Sequence, residues 1–330
     1  MSPSNDTYAS VIINECLGIR NGEEVLIFTD DEKRHFSDEL AFSIKNCGAN
    51  VSIFYIPETI RPLEKITTLH ALSLVAADAV IYILEVQNIG KNLAREVAFR
   101  DYLFSLPLDY KGRVCMMPGF SDKMKDSVVI NYSRLNERCE SLKNILNNKF
   151  IRITSEKGTD IRFSLLERRI KIENGQISKS GTCSNIPAGE IFTAPVEETV
   201  NGKVVVDGSI GNLGQVKNPF TVSIYKGNII DVEPSCVDEI FQEFSFVINY
   251  DPPNTKCIGE FGIGLNPKAT LTGTMLSDEK VEGTVHFAFG DSYGLGKTKS
   301  KYHTDVLIMN PTIYVENQCI MEKGKFLINI

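Results

Sequence analysis

The chain has 330 residues, of which 42% are hydrophobic and 23% charged, and its formal net charge is −7 at pH 7. This length accommodates two domains, and the acidic balance argues against a general role in nucleic-acid binding. No apolar run reaches the roughly 18 residues of a membrane span, and MSPSNDTYAS lacks the features of a secretory signal. The expected location is therefore the cytoplasm.

The first 150 residues alternate predicted helices with predicted strands. Apolar residues recur at helical spacing over 8–20, 31–49, 69–78, 91–106 and 126–150. Buried strands are predicted at 22–30, 50–57, 79–86 and 112–119. This alternation indicates a doubly wound α/β domain with a parallel sheet over residues 1–150.

Two common cofactor and metal signals are missing from the sequence. No Gly-x-Gly-x-x-Gly follows the first predicted strand, and no Walker loop occurs, so a dinucleotide or nucleotide cofactor is not expected. The eight cysteines include no Cys-x-x-Cys pair. They are expected to be reduced, mostly buried thiols.

After residue 150 the pattern changes to short β-rich runs separated by turns such as KGTD and ENGQ. These runs include 150–178, 203–216, 219–233, 244–252 and 325–330, with one helical patch near 236–244. The sequence therefore predicts a second, β-rich α+β domain over residues 151–330.

Two of the four histidines lie in one stretch of this second half. His303 and Asp305 fall on a predicted strand, where side chains two residues apart share a face. His286 lies in TVHFAFG, another predicted strand. Two imidazoles and a carboxylate on neighbouring strands favour a metal site with mixed nitrogen and oxygen ligands.

Three upstream carboxylates extend this candidate metal site. Glu190 lies in NIPAGEIFTAP, Glu260 in IGEFGIGLNP and Glu279 in LSDEK. Each follows a glycine or a turn-like stretch and borders an apolar strand. Several carboxylates combined with two histidines indicate a two-metal centre.

With these motifs, the chain resembles the aminopeptidase T / aminopeptidase S family of metallopeptidases, in its shorter "leucyl aminopeptidase" branch. The resemblance covers most of the chain and is sharpest in NIPAGEIFTAP, GEFGIGLNP, SDEKVEGTVHFAFG and SKYHTD. It implies an N-terminal α/β domain, a C-terminal β-rich metal-binding catalytic domain, and a homodimer.

The resemblance also implies roles for individual residues. The family's metal ligands fall on Glu190, Glu260, Glu279, His286, His303 and Asp305. Glu260 would be the bridging carboxylate, and Tyr293, which stands seven residues after His286, would be the catalytic tyrosine. The spacing between the acidic residue and His286 differs from that of longer members, so Glu282 competes with Glu279.

The activity that follows is that of a metal-dependent aminopeptidase acting on peptides or aminoacyl substrates. Two divalent ions (Zn, Co or Mn) would activate a bridging water, and Tyr293 would donate to the developing oxyanion.

Two alternatives stay open. Ring-cleaving dioxygenases of the dihydroxypyridine type resemble the shorter branch. If this chain is such an enzyme, His286, His303 and Asp305 would hold one Fe(II). The third possibility is a non-enzymatic binding protein with a relict site.

Overall fold

A computed structural model of the chain describes residues 7–61, 63, 65–86, 91–211 and 213–330, the side chains of 91–98 excepted. The chain forms two compact units. The first holds residues up to 132 together with 175–188, and the second holds 133–174 and 189–330. None of the helices within the described ranges combines the length and the apolar character needed to cross a bilayer.

The helices and strands have the following bounds. The helices are α1 (Tyr8–Val11, continued by a π-helical turn Ile12–Cys16), α2 (Arg34–Asn46), α3 (Thr68–Ala76), α4 (Lys91–Asp109), α5 (Lys125–Val128), α6 (Tyr132–Leu146), α7 (Glu239–Ile248) and α8 (Met275–Asp278). The strands are β1 (Glu24–Thr29), β2 (Asn50–Tyr55), β3 (Ala79–Ile83), β4 (Arg113–Met116), β5 (Phe150–Thr154), β6 (Asp160–Ser164), β7 (Lys171–Glu173), β8 (Cys183–Asn185), β9 (Glu190–Thr193), β10 (Asn201–Val206), β11 (Ser209–Ile210), β12 (Gly214–Gln215), β13 (Phe220–Tyr225), β14 (Asn228–Pro234), β15 (Ile258–Gly264), β16 (Val285–Gly290), β17 (His303–Ile308), β18 (Thr312–Val315), β19 (Gln318–Glu322) and β20 (Lys325–Phe326).

The first unit contains a five-stranded parallel sheet in the order β2-β1-β3-β4-β8. Strands β1 and β3 are almost continuously buried, which is typical of a parallel sheet covered on both faces. Their apolar side chains, among them Leu26, Phe28, Val80 and Tyr82, form a core together with Leu74 of α3. The predicted mixed α/β class with a parallel sheet is confirmed.

The second unit contains two antiparallel sheets among its described residues. One has eight strands in the order β14-β13-β10-β6-β5-β18-β19-β20, and the other has seven in the order β12-β11-β17-β16-β15-β9-β7. Phe163 of the eight-stranded sheet packs against Phe261 and Phe287 of the seven-stranded sheet, with ring centroids 4.8 and 5.7 Å apart. This aromatic core occupies one face of β15 and β16 and leaves their other face available for polar side chains.

Two predicted elements are wrong. Residues 244–248 of the strand predicted over 244–252 belong instead to helix α7, because the Asp238 carboxylate accepts a hydrogen bond from the amide of Phe241 and starts the helix. Phe244, Val247 and Ile248 then form its buried stripe at helical spacing. The single helix predicted over 126–150 is divided into α5 and α6, and β5 begins at Phe150.

Candidate metal centre

The candidate centre lies on one face of the seven-stranded sheet. Strands β15, β16 and β17 are adjacent, and the register pairs Gly262 with His286, Ala288 with Asp305, and Gly290 with His303. Because side chains alternate along a strand, His286 faces away from the neighbouring Phe287, which packs in the aromatic core. Glycine and alanine at the paired positions leave room for the imidazoles and the carboxylate.

Four of the predicted ligands come together across these three strands. Glu260, His286 and Asp305 each offer a ligand atom, and these atoms lie within 4.8 Å of one another. Glu260 Oε1 lies 3.4 Å from His286 Nε2. His303 Nε2 lies 3.2 Å from Asp305 Oδ1 and 4.0 Å from Glu260 Oε2. Two imidazoles and two carboxylates thus surround one volume.

A second group of ligand atoms adjoins the first and shares His286 with it. Glu190, Glu279 and His286 offer atoms within 4.8 Å of one another, and Glu190 Oε2 lies 3.3 Å from His286 Nε2. Lys280 contacts both carboxylates, with its Nζ 2.6 Å from Glu190 Oε1 and 2.6 Å from Glu279 Oε1. The same ammonium also bonds to Glu173 on β7.

Asp291 organises the loop between β16 and β17. Its backbone carbonyl lies 2.7 Å from Nδ1 of His303. A carbonyl can only accept, so Nδ1 carries a proton and Nε2 is the atom that a metal can bind when the ring is neutral. The two carboxylate oxygens of Asp291 accept hydrogen bonds from the amides of Tyr293 (2.7 Å) and Ser300 (3.0 Å).

Tyr293 and Glu282 occupy different surroundings. The Tyr293 ring packs against His303 with centroids 4.6 Å apart, and its backbone adopts a left-handed conformation with φ of 49°. Glu282 does not reach the cluster of ligands, because its carboxylate forms a two-pronged ion pair with Arg138 at 2.7 and 3.1 Å. Of the two competing carboxylates, Glu279 is the one beside His286.

Burial and mutual charge set the protonation of the cluster in the absence of a metal. Burial raises the pKa of Glu190 well above its usual range, and it also raises the pKa of Glu279. Burial opposes the charged form of His286, but the carboxylates of Glu260, Glu190 and Glu279 outweigh it and raise the pKa of His286 to about 9. The His286 imidazole therefore carries a proton at neutral pH when no cation neutralises these carboxylates.

The pKa values of the remaining charged groups are likewise set by burial on one side and by neighbouring charges on the other. Burial likewise opposes the imidazolium of His303, yet Tyr293 and Asp305 together raise its pKa well above the usual value. Burial would raise the pKa of Asp305, but the adjacent His303 lowers it overall. For Lys280, burial opposes the charged form, but the carboxylates of Glu173, Glu190 and Glu279 outweigh it and raise the pKa of the ammonium well above its usual value.

The donor set fits a divalent metal ion. Glu190 Oε2, His286 Nε2 and Asp305 Oδ1 are buried and have no hydrogen-bond partner among the described residues. Buried polar atoms without a partner are costly, and a cation bound by His286 and Asp305 would satisfy two of these three. Imidazole nitrogens combined with carboxylate oxygens suit Fe(II), Mn, Co or Zn.

Sequence patterns did not identify Lys280, Glu173 or Asp291 as part of this cluster. Lys280 follows Glu279 directly, but nothing separates it in sequence from a surface lysine. Glu173 precedes the turn ENGQ, where a carboxylate is ordinarily solvated. The usable signal was the glycine-rich stretch between His286 and His303, which marks Asp291 as a loop residue next to a ligand.

Clustered imidazoles and carboxylates on one face of an antiparallel sheet, in a chain that also contains an α/β unit, define the class of candidate metal-dependent enzymes. The chain belongs to the family described as NicX: 2,5-dihydroxypyridine 5,6-dioxygenase, whose model matches residues 13–328. A 2,5-dihydroxypyridine 5,6-dioxygenase of Pseudomonas putida is 25% identical over 192 residues, 53% of either chain. Aminopeptidase AmpS of Bacillus subtilis is 27% identical over 89 residues, 26% of this chain and 22% of its own. The matched segments thus span about half of the first relative and about a fifth of the second.

Solved structures show the same fold over nearly the whole chain. The 2,5-dihydroxypyridine dioxygenase of Pseudomonas putida KT2440 has a TM-score of 0.77 at 16% identity, covering 98% of this chain and 97% of its own. AmpT of Thermus thermophilus has a TM-score of 0.72 at 17% identity, covering 97% and 98%. The AmpT structure and the AmpS match support the expected relationship to aminopeptidases T and S. The family model, the Pseudomonas putida relative and its solved structure show a similarity to the dioxygenases as well. These relatives support an enzyme and leave its reaction class to be decided by the site.

Proposed function

We propose that the chain is a mononuclear non-haem iron dioxygenase that opens a hydroxylated aromatic ring of the dihydroxypyridine type. The observation that carries this proposal is the convergence of His286, His303 and Asp305 from adjacent strands. Two imidazoles and one carboxylate are the donor set of ferrous oxygenases that keep coordination positions open. The family and its Pseudomonas putida relative carry this activity in their names, which supports the same choice.

The residues of the chain supply binding, orientation and charge. A bound ferrous ion supplies the redox chemistry that lets dioxygen react with an electron-rich ring. His303 is oriented by its bond to the carbonyl of Asp291, and His286 is held in a fully buried position. Asp305 contributes a carboxylate whose pKa is lowered by His303, so it is ionised at neutral pH.

The exposure of the site residues indicates the side from which a substrate enters. The exposed fraction falls from 65% for Tyr293 to 12% for the His303 side chain and 0% for His286. A planar substrate approaching from this side meets the Tyr293 ring first, and aromatic rings pack favourably in offset or edge-on arrangements. Tyr293 is therefore the side chain placed to receive an aromatic ring at the mouth of the site.

The test measures oxygen uptake by protein loaded anaerobically with Fe(II) and mixed with 2,5-dihydroxypyridine. In a ring-cleaving dioxygenation one ring bond breaks and both oxygen atoms enter the product, so one O₂ should disappear per substrate without an added reductant. Asp305→Asn should lose iron and uptake together, whereas Asp231→Asn, on strand β14 of the other sheet, should keep both. Iron-loaded protein that consumes no oxygen with hydroxylated pyridines contradicts the proposal.

A second candidate function is a two-metal aminopeptidase. The group of Glu190, Glu279 and His286 favours it, because a second set of ligand atoms adjoins the first. Zinc separates the two candidates, since it has no redox chemistry but activates water efficiently. Zinc-loaded protein that hydrolyses aminoacyl substrates supports the peptidase, and activity confined to the iron form with dioxygen supports the dioxygenase.

A further inference from the structure

Lys280 is a fully buried lysine surrounded by carboxylates of the candidate metal centre. Its side chain is 0% exposed, and Nζ lies 2.6 Å from Glu190 Oε1 and 2.6 Å from Glu279 Oε1 and also contacts Glu173. A lysine ammonium has three N–H donors, and three carboxylates surround it here. Lysine is almost never fully buried unless it is paired, so this arrangement is a built cation site.

Glu190 connects this ammonium to the imidazole of the metal-binding group. One of its oxygens binds Lys280, while the other lies 3.3 Å from His286 Nε2 and has no hydrogen-bond partner within the described part of the chain. Glu190 thus faces the ammonium with one oxygen and a candidate metal ligand with the other. In this chain a protein ammonium stands on one side of that carboxylate.

We infer that Lys280 takes the place of a second metal ion and limits the centre to one divalent cation, bound by His286, His303 and Asp305. A dication bound between Glu190 and Glu279 would lie against the ammonium, and like charges at such short range repel strongly where water is excluded. The inference rests on the proposed function for the identity of the bound ion, but the number of ions follows from Lys280 itself.

Removing the ammonium while leaving its space empty should create the second metal site. Lys280→Ala frees Glu173, Glu190 and Glu279 around a cavity, and these oxygen ligands suit a hard cation such as Mn²⁺. Lys280→Met is the matched control, because it removes the same charge but fills the cavity with an unbranched chain of similar length. We expect one Mn²⁺ per chain in the natural protein and in Lys280→Met, and two in Lys280→Ala.

The experiment uses full-length protein stripped with a chelator and titrated with Mn²⁺. Bound manganese is counted by elemental analysis, and electron paramagnetic resonance reports whether two ions are close enough to couple. Two ions in the natural protein, one ion in Lys280→Ala, or two in Lys280→Met would each overturn the inference. If Lys280→Ala does not fold, the double variant Lys280→Ala/Glu173→Gln takes its place, because it removes one positive and one negative charge from the cluster. This double variant should also bind two ions.

These counts are independent of ring cleavage. One manganese in the natural protein and two in Lys280→Ala, combined with no oxygen uptake by the iron form, would remove the proposed dioxygenase and leave the role of Lys280 in place. Oxygen uptake by a natural protein that binds two ions would remove the role of Lys280 and leave the proposed dioxygenase in place.

Discussion

Asp291 accepts three hydrogen bonds at the loop between β16 and β17, and one of them comes from the candidate metal ligand His303. Its carbonyl accepts from His303, and its carboxylate holds the amides of Tyr293 and Ser300. The carbonyl belongs to the backbone and survives substitution, but its position depends on the loop that the side chain closes. Asp291 is thus a positioning residue that acts through His303.

Asp291→Ala should displace the carbonyl that orients His303 and weaken metal binding by roughly tenfold to a hundredfold, the usual range for disturbing an outer partner of a metal-ligating histidine. Mn²⁺ titration of stripped protein measures the dissociation constant directly. Asp231→Ala is the matched control, because its carboxylate bonds only to the amide of Val232 in the described structure and lies on another sheet. An unchanged affinity in Asp291→Ala would make the loop conformation independent of this carboxylate.

Metal binding should release protons at neutral pH. The pKa of His286 is raised to about 9 and that of His303 is also raised, so both imidazoles are protonated at pH 7 in the metal-free protein. A metal ion binds the neutral ring, so each ligand must lose its proton and affinity should increase as the pH rises from 6.5 towards 9. Titration calorimetry in buffers of different ionisation enthalpy should detect about two protons per ion at pH 7. Enthalpies that do not depend on the buffer would contradict these protonation states.

At the scale of elements, the pairing of β15 with β16 brings Gly262 directly opposite His286. A Cβ atom at Gly262 would lie 2.2 Å from Nε2 and 2.3 Å from Cε1 of the imidazole. The ring is fully buried and cannot swing into solvent. The absence of a side chain at Gly262 therefore makes space for the ligand on the next strand.

Gly262→Ala should displace the His286 ring and abolish or strongly weaken Mn²⁺ binding while the protein remains folded. Gly112→Ala, in the first unit, is the matched control, because its Cβ would be crowded as well, at 3.0 Å from the backbone oxygen of Ala77. We expect that control to cost about 1–3 kcal/mol of stability through overpacking and to keep its metal affinity. Circular dichroism, urea denaturation and metal titration on both variants provide the comparison. Equal metal affinities would show that the strand spacing tolerates the added methyl group.

At the scale of the molecule, every candidate ligand belongs to the second unit. A metal ion that binds only the folded state stabilises it by about 2.7 kcal/mol at a hundred times its dissociation constant. The effect should therefore concentrate in the second unit, which carries β15, β16 and β17.

Hydrogen exchange with and without saturating Mn²⁺ tests this restriction. Amides of the three ligand-bearing strands that exchange through unfolding of their unit should slow by about a hundredfold at that concentration. Amides of β1 and β3 in the first unit serve as the internal control and should keep their rates. Equal protection of both units would show that the ion stabilises the chain as one cooperative body.

We also expect a homodimer. Strand β14 forms an edge of the eight-stranded sheet, and its Ile230 is 66% exposed. Unpaired edges with apolar side chains are ordinarily covered by a partner. Light scattering at micromolar concentration should report twice the mass of the chain, and a monomer would contradict the expectation.

Local patterns were sufficient to anticipate much of this architecture. Apolar runs alternating with helical periodicity are characteristic of a parallel sheet, and β1 to β4 appear where those runs lie. His303 and Asp305 share a face because strand side chains have a period of two, which needs no tertiary information. The strand prediction at 244–252 is wrong for a local reason as well, because the cap at Asp238 begins helix α7 despite the β-rich residues that follow it.

Contacts between residues far apart in the chain decided which charged side chains belong to the metal centre, which local patterns could not. Glu279 and Glu282 stand in the same turn, and only the ion pair of Glu282 with Arg138, 144 residues away, separates their roles. Lys280 resembles any surface lysine until β7, β9 and the turn after α8 bring Glu173, Glu190 and Glu279 around it. The charge that surrounds a buried ammonium, and with it the number of metal ions, depends on residues far apart in the chain and is therefore a property of the folded state.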